Sequence, residues 1–350
     1  MSDHLQFHDS APVLIVGGYG TVGAELARLA AGRWPLLLTG RNPVRGNTIA
    51  EELGAKVARW DLTEATDFRA EARAVVSTVN DPDDRVLRAA VRAGIPYVDI
   101  TRWTTRLTRA AVVAATLHPT APVLLSSSWM GGVTGLVTAA LAEQIGGATE
   151  VDIAIRYALA DRAGVDSVEF MDRLGVEFEV IQGGVRHMTM PLRDSRQVRI
   201  GGEKTRVARI DTPEQFTFPL TLGVATAVTR IGFDSAAAST ALLTAARLGF
   251  FRRARGDRWR PLRRSMLYSP GDGATAALRV DVTGPGGTRS ATVRDRAGQA
   301  HLTAVGALIG LRRALDGDAP AGISFPESTA RPQDSLTELA QAGVDIEVTW

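Results

Sequence analysis

Residues 12–23, Pro12-Val13-Leu14-Ile15-Val16-Gly17-Gly18-Tyr19-Gly20-Thr21-Val22-Gly23, decide the fold. Val13 to Val16 are a short, wholly apolar run, as expected of a strand buried on both faces of a parallel sheet. Gly18-x-Gly20-x-x-Gly23 follows at once. Glycines at this spacing permit a tight turn, close approach of the backbone to an anion, and close packing of a helix on the strand. Ala24, Leu26, Ala27 and Leu29 continue as that helix. The helix start then offers free backbone N–H groups and the positive end of its dipole to a pyrophosphate.

The next strand bears on which dinucleotide is bound. Pro35 to Gly40 is a second apolar run, and its carboxyl end is where an acidic residue would hold the ribose 2′-hydroxyl of NAD. The chain instead continues Gly40-Arg41-Asn42-Pro43-Val44-Arg45, with no carboxylate before Glu51. A guanidinium binds phosphate through two parallel charge-assisted bonds, so Arg41 beside Asn42 suits the 2′-phosphate of NADP(H). The alternative for Arg41 is a solvated loop residue.

Composition bounds the rest. At 350 residues with 45% hydrophobic content, the chain has room for two domains. It has no cysteine, which excludes disulfides, thiolate nucleophiles and cysteine zinc sites. His4, His8, His118, His187 and His301 lack metal-ligand spacing, so no metal site is expected; the first two fall in an N-terminus expected to fray. Forty basic residues against 38 acidic ones leave a formal charge of +2, and only Lys56 and Lys204 are lysines. The basic stretch 251–264, which contains Trp259, is expected to be a surface loop, since no nucleic-acid motif accompanies it. No run approaches the roughly 20 apolar residues of a membrane span. The polar start MSDHLQFHDS is unlike a signal peptide, so a cytoplasmic protein without membrane or nucleic-acid partners is expected.

Strand and helix alternate beyond the glycine turn. Apolar runs at 55–60, 74–80, 96–100 and 122–125 complete six strands, with helices at 48–53, 83–93 and about 105–115 between them. This predicts an α/β doubly wound parallel Rossmann sheet over residues 1–130. After Ser128 the pattern changes to a long apolar helix at 133–145, then alternating runs punctuated by Gly183-Gly184, Gly201-Gly202 and Gly284-Pro285-Gly286-Gly287. A second α+β domain of largely antiparallel strands is expected over 131–297, with a helix at 236–250, serving substrate binding and dimerisation. Residues 298–350, with a helix at 299–315 and a last strand at 346–348, are expected to return to the Rossmann domain.

The segments GGYGTVG, TGRN, WDL, VVSTVN and YVDIT, in this order, resemble the saccharopine dehydrogenase (saccharopine reductase) NADP-binding family. AHLTAVGALIGLRRAL, AGISFPES and LAQAGVDIEV resemble that family's closing helix and strand. The likeness covers roughly residues 12–128 and 298–350. The family's glycine-rich element after the sixth strand often holds Asp-Pro-Gly, whereas this chain has Trp129-Met130-Gly131-Gly132-Val133-Thr134-Gly135; the departure argues against a saccharopine-type amino-acid substrate. The resemblance places Gly18, Tyr19, Gly20, Thr21 and Val22 on the pyrophosphate, and Arg41 and Asn42 on the adenosine phosphate. It places Asp61 and Leu62 near adenine, and Thr78, Val79 and Asn80 along the ribose and nicotinamide.

Two residues are candidates for the chemistry. Asp99 at the end of the fifth strand would steady a cationic iminium or relay its proton; the alternative is a cap for the next helix. Arg102, and Arg156 in the second domain, would grip a substrate carboxylate, unless they serve as surface ion-pair partners. Trp103 and Trp129 would wall an apolar pocket or pack in a core. None of Tyr19, Tyr97, Tyr157 or Tyr268 is followed by Lys four residues later, which excludes the Tyr-x-x-x-Lys acid of short-chain dehydrogenases. The expectation is an NADPH-dependent reductase of a small molecule, acting as a homodimer on a C=N bond by the family resemblance. The alternatives are C=C or C=O reduction and a non-catalytic NADP-binding sensor or scaffold.

Overall fold

The computed structural model describes residues 3–161, 172–254, 257–259, 261–262 and 273–350. Residues 255, 256, 260, 263 and 264 of the basic stretch, and Tyr268, lie outside them. The chain divides into two compact units, 1–133 with 303–330 and 134–302 with 331–350.

The first unit carries the expected doubly wound sheet. Its strands are β2 (Val13–Val16), β3 (Leu36–Gly40), β4 (Lys56–Arg59), β6 (Ala74–Ser77), β7 (Tyr97–Asp99), β8 (Pro122–Leu125) and β17 (Gly322–Ser324). They lie in the order β17-β8-β7-β6-β2-β3-β4, all parallel. Helices α1 (Thr21–Ala30), α2 (Asn47–Leu53), α3 (Arg85–Arg92) and α4 (Thr104–Thr116) connect successive strands. The chain leaves β2 toward β3 and later returns to β6 on the other side. The topological switch point therefore falls between β2 and β6, and ligands of such sheets bind at the carboxyl ends there. Val13, Ile15, Leu26, Leu38, Val76, Val98 and Leu124 fill one core, and the helix Gln299–Leu315 adds Ala304, Ala307, Leu308 and Leu311 to it.

His4 to His8, expected to fray, are held in place. Strand β1 (His4–Phe7) pairs in parallel with β5 (Arg69–Ala72). Asp3 clamps this ribbon by accepting the Phe68 N–H at 2.9 Å and pairing with Arg85 at 2.8 Å.

The second unit begins inside helix α5 (Val133–Gln144). Its strands are β9 (Glu150–Tyr157), the hairpin β10 (Phe178–Gln182) and β11 (Val185–Thr189), β12 (Arg196–Ile200), β13 (Glu203–Arg209), β14 (Thr226–Phe233), β15 (Ala276–Gly284), β16 (Gly287–Asp295) and β18 (Asp345–Thr349). Seven of them form a sheet in the order β12-β13-β14-β9-β15-β16-β18, antiparallel except at β14–β9. The expected return of 298–350 to the first unit is therefore limited to Thr303–Ala330. From Arg331 the chain belongs to the second unit, because β18 completes its ladder on β16, Ser290 opposite Thr349 through Arg294 opposite Asp345. The predicted helix at 236–250 ends at Arg247, where Gly249 turns left-handed at φ 76° before the short helix Phe250–Arg253.

Candidate functional site

The carboxyl edge of the first sheet is built from short loops, beginning with the glycine turn. Gly17 has φ 83°, and a Cβ there would lie 2.3 Å from Val79 Cγ1; the left-handed residue sits just before the Gly18-x-Gly20-x-x-Gly23 pattern. Gly23 is required by contact, since a Cβ would come 2.1 Å from the Gly17 carbonyl oxygen. Helix α1 is thereby drawn down onto the turn. Its first intrahelical bond runs from Ala24 N–H to the Gly20 carbonyl. The N–H groups of Thr21, Val22 and Gly23 have no acceptor within the helix, as at any helix start. Gly20 and Thr21 are exposed, so this end faces outward from the sheet edge. The bare glycine backbone and free donors fit a pyrophosphate.

At the end of β3, Arg41, Asn42 and Arg45 are exposed. Among the described residues neither Arg41 nor Arg45 has an ion-pair partner. Asn42 accepts the Val44 N–H on its side-chain oxygen at 3.2 Å, and Arg59 Nε donates to the Arg41 carbonyl at 3.2 Å. The Arg59 guanidinium itself is forked onto Glu64 at 2.7 and 2.5 Å. Tyr19 leaves the glycine turn sideways, and its half-buried ring lies against Gly40 and Gly46. Burial pushes its phenol up, against the pull of the Asn42 N–H and the cations of Arg41, Arg45 and Arg59. The Tyr19 side chain therefore belongs with the Arg41–Arg45 turn rather than with the N–H groups at the start of α1.

Asp61, after β4, is turned on its own loop, accepting the Thr63 N–H at 3.0 Å and hydroxyl at 2.7 Å. The Thr63 hydroxyl and N–H hold its carboxyl below the usual range. Leu62 is half-buried beside it, its carbonyl accepting from Arg85 at 3.3 Å. After β6, the Thr78 hydroxyl is committed to the Val16 carbonyl at 2.9 Å, which ties the two strands at the switch point. The Val79 carbonyl accepts from Thr101 Oγ1 at 3.1 Å and Ser77 Oγ at 3.2 Å, fixing the loop that carries Asn80. Val79 and Asn80 are half-buried.

The two candidate catalytic residues are placed differently from expectation. Asp99 is 0% exposed and Arg102 4%. Arg102 Nε donates to Asp99 Oδ2 at 2.7 Å, another guanidinium N–H goes to Asp84, and Asp81 lies 3.8 Å away. Asp99 Oδ2 also accepts the Tyr97 hydroxyl at 2.6 Å, while Oδ1 takes the Thr101 N–H at 3.0 Å and lies 3.0 Å from the Thr101 hydroxyl, whose one proton it shares with the Val79 carbonyl. Asp81 caps helix α3 by accepting the N–H groups of Arg85 and Val86, both at 2.9 Å. Burial raises the Asp81 carboxyl to about 6, against the Arg85 N–H and the Arg102 charge. Burial and the charge of Asp99 raise the Tyr97 phenol well above its ordinary range. This is a closed ionic knot joining the loops after β6 and β7. Asp99 and Arg102 are turned into it, so neither presents its charge to a ligand. Asp81, Asp84 and Tyr97 were the unforeseen members; the acidic run Asp81-Pro82-Asp83-Asp84 at a strand end was the available signal.

Trp103 is half-buried with the Arg106 guanidinium 4.8 Å from its ring centre. Trp129 is half-buried in the loop after β8, where Met130, Gly131 and Gly132 are successively left-handed at φ 57°, 64° and 105°. A left-handed non-glycine residue is uncommon. Here the loop is pinned by Ser126 Oγ donating to the Gly131 carbonyl at 3.2 Å and by Gly132 N–H donating to the Ser128 carbonyl at 3.0 Å. Arg156 belongs to the second unit, half-buried on β9 opposite Gly232 and Ala277. Gly18, Gly20, Thr21, Val22 and Gly23 thus share one turn and Arg41 and Asn42 the next. Asp61, Leu62, Thr78, Val79 and Asn80 follow along the same sheet edge.

A parallel Rossmann sheet with a mixed second sheet is an architecture that this chain shares with one solved dehydrogenase in particular. Saccharopine dehydrogenase (L-Glu forming) from Saccharomyces cerevisiae is similar to it with TM-score 0.64 and 13% identity, over 97% of this chain and 100% of that one. A probable dehydrogenase from Thermotoga maritima matches with TM-score 0.46 and 12% identity, over 95% of this chain and 94% of that one. Scyllo-inositol dehydrogenase from Lactobacillus casei, solved with NAD(H) and scyllo-inositol, matches with TM-score 0.45 and 12% identity over 95% of both. The likeness is one of fold, and the saccharopine dehydrogenase fold expected from the sequence motifs is present. No family model and no curated protein matches the chain in sequence. No helix among the described residues is long and apolar enough to cross a membrane.

Proposed function

We propose that this chain is an NADPH-dependent reductase of a small molecule, acting on a C=N bond. The observation that carries the cofactor choice is the end of β3. Two exposed guanidinium groups, Arg41 and Arg45, stand where an NAD site would present a carboxylate. The N–H groups of Thr21, Val22 and Gly23 would hold the pyrophosphate, Arg41 and Arg45 the 2′-phosphate, and the Val79–Asn80 loop would flank the nicotinamide. NADPH, when bound, supplies a hydride. The chain's part is to position: the glycine turn fixes the phosphates, and the ionic knot around Arg102 keeps the Val79–Asn80 loop in place through Thr101.

C=N reduction rests on the resemblance of the sequence motifs to saccharopine dehydrogenases. The sequestration of Asp99 and Arg102 favours a second reading, a non-catalytic NADP-binding sensor. NADPH oxidation followed at 340 nm against imine, enone and ketone panels separates these. Turnover on imines is expected; turnover only on enones or ketones defeats the C=N choice, and none on any panel with intact NADPH binding favours the sensor.

A further inference from the structure

The cation-bearing turn at the end of β3 has a brace from outside itself. Gly40 and Gly46 are the two stems of the link 41–45, and one side chain touches both, Tyr19. A Cβ on Gly40 would lie 2.6 Å from Tyr19 Cζ and Oη, and a Cβ on Gly46 would lie 2.6 Å from Tyr19 Cδ1. Gly46 has φ −89°, open to any residue, so the ring and not the backbone excludes a side chain there. The same ring packs on the first unit's apolar core. Across the turn, Arg59 Nε holds the Arg41 carbonyl, and inside it Asn42 holds the Val44 N–H. The backbone beneath Arg41 and Arg45 is thus fixed from three directions while both side chains remain exposed.

We propose that Tyr19 sets the cofactor preference of this site: its ring, wedged between Gly40 and Gly46, holds the Arg41–Arg45 turn in the shape that receives an adenosine 2′-phosphate. The inference rests on the NADPH reading and deepens it. Paired guanidinium–phosphate bonds depend on angle as well as charge. A turn released from its brace keeps both positive charges and loses their alignment. Ligands without a 2′-phosphate do not sense that loss. Tyr19 is then a positioning residue, acting through Arg41 and Arg45.

The test is calorimetric titration of the full chain with 2′,5′-ADP and 5′-ADP, for the wild type and for Tyr19→Leu, Gly46→Ala, Tyr19→Phe and Arg41→Ala, with melting curves to confirm folding. The wild type is expected to favour 2′,5′-ADP by about tenfold or more. Tyr19→Leu removes the ring and Gly46→Ala displaces it; each brings the preference close to one. Tyr19→Phe keeps the ring and retains the preference within about threefold. A purely structural role would weaken both nucleotides alike, so an unchanged ratio in Tyr19→Leu and Gly46→Ala overturns the proposal. If the wild type shows no preference, the NADPH reading itself fails. If the wild type prefers 2′,5′-ADP and Arg41→Ala abolishes that while Tyr19→Leu does not, only the role of Tyr19 fails.

Discussion

The ends of β3 and β7 both carry arginine, and the two ends could hardly be more different. Arg41 and Arg45 are exposed and have no carboxylate partner among the described residues. Arg102 is buried and faces Asp81, Asp84 and Asp99. Residue type and position at a strand end are the same; what differs is whether the positive charge is already neutralised. A charge neutralised inside the protein holds loops together, whereas an open one is available to a phosphate. In sequence the two look equally functional, and only the carboxylates gathered by the fold tell them apart.

The largest effect that separates the ends is expected from Arg102→Ala. It leaves Asp81 and Asp99 without their cation and Asp84 with only the exposed Arg109, and breaking a buried pair costs about 3–5 kcal/mol. Chemical denaturation measures this; a loss under 1 kcal/mol would mean that the knot is not a structural unit. Next comes Asp81. Its carboxyl titrates near 6 in the fold against an ordinary 3.8. Below about pH 4 it is protonated in both states. Between about 4 and 6 the unfolded chain gives up a proton that the fold retains, so stability falls as pH rises, by up to about 3 kcal/mol, and levels off above. Asp81→Asn cannot titrate, so the wild-type minus variant stability should slope downward across that window; a flat difference contradicts the buried carboxyl.

Smaller effects test the open end. Arg41→Ala and Arg45→Ala should each weaken NADPH about tenfold while leaving NADH within twofold, with the melting temperature unchanged. Equal losses for both coenzymes would place these side chains elsewhere than on the 2′-phosphate. Arg109, 53% exposed at the rim of the knot and 3.0 Å from Asp84, should matter least. Its replacement by Ala is expected to cost less than about 1 kcal/mol, as for exposed ion pairs.

Much of the first unit was legible because its inner strands are buried on both faces and appear as apolar runs. Val13–Val16 and Ala74–Ser77 are fully buried, and the glycine turn follows the former directly. Strand β14 was not legible, because Thr229 and Arg230 interrupt its apolar pattern and are nonetheless buried. Arg230 is accommodated by Asp152 and Asp194, which lie 78 and 36 residues away in the chain. The destination of β18 was hidden for a related reason, since its partner β16 is fixed only by tertiary pairing. At the site, Asp99 and Arg102 could be read only as separate candidates, because nothing in their residue types showed that they would pair with each other. Nor did anything show that Tyr97, Asp81 and Asp84 would close around them.

Isothermal titration of the unmodified chain with NADPH and then NADH tests the central claim most directly. The account predicts heat on binding NADPH and an affinity at least about tenfold above that for NADH. No heat with either coenzyme, or NADH bound as tightly as NADPH, would contradict it.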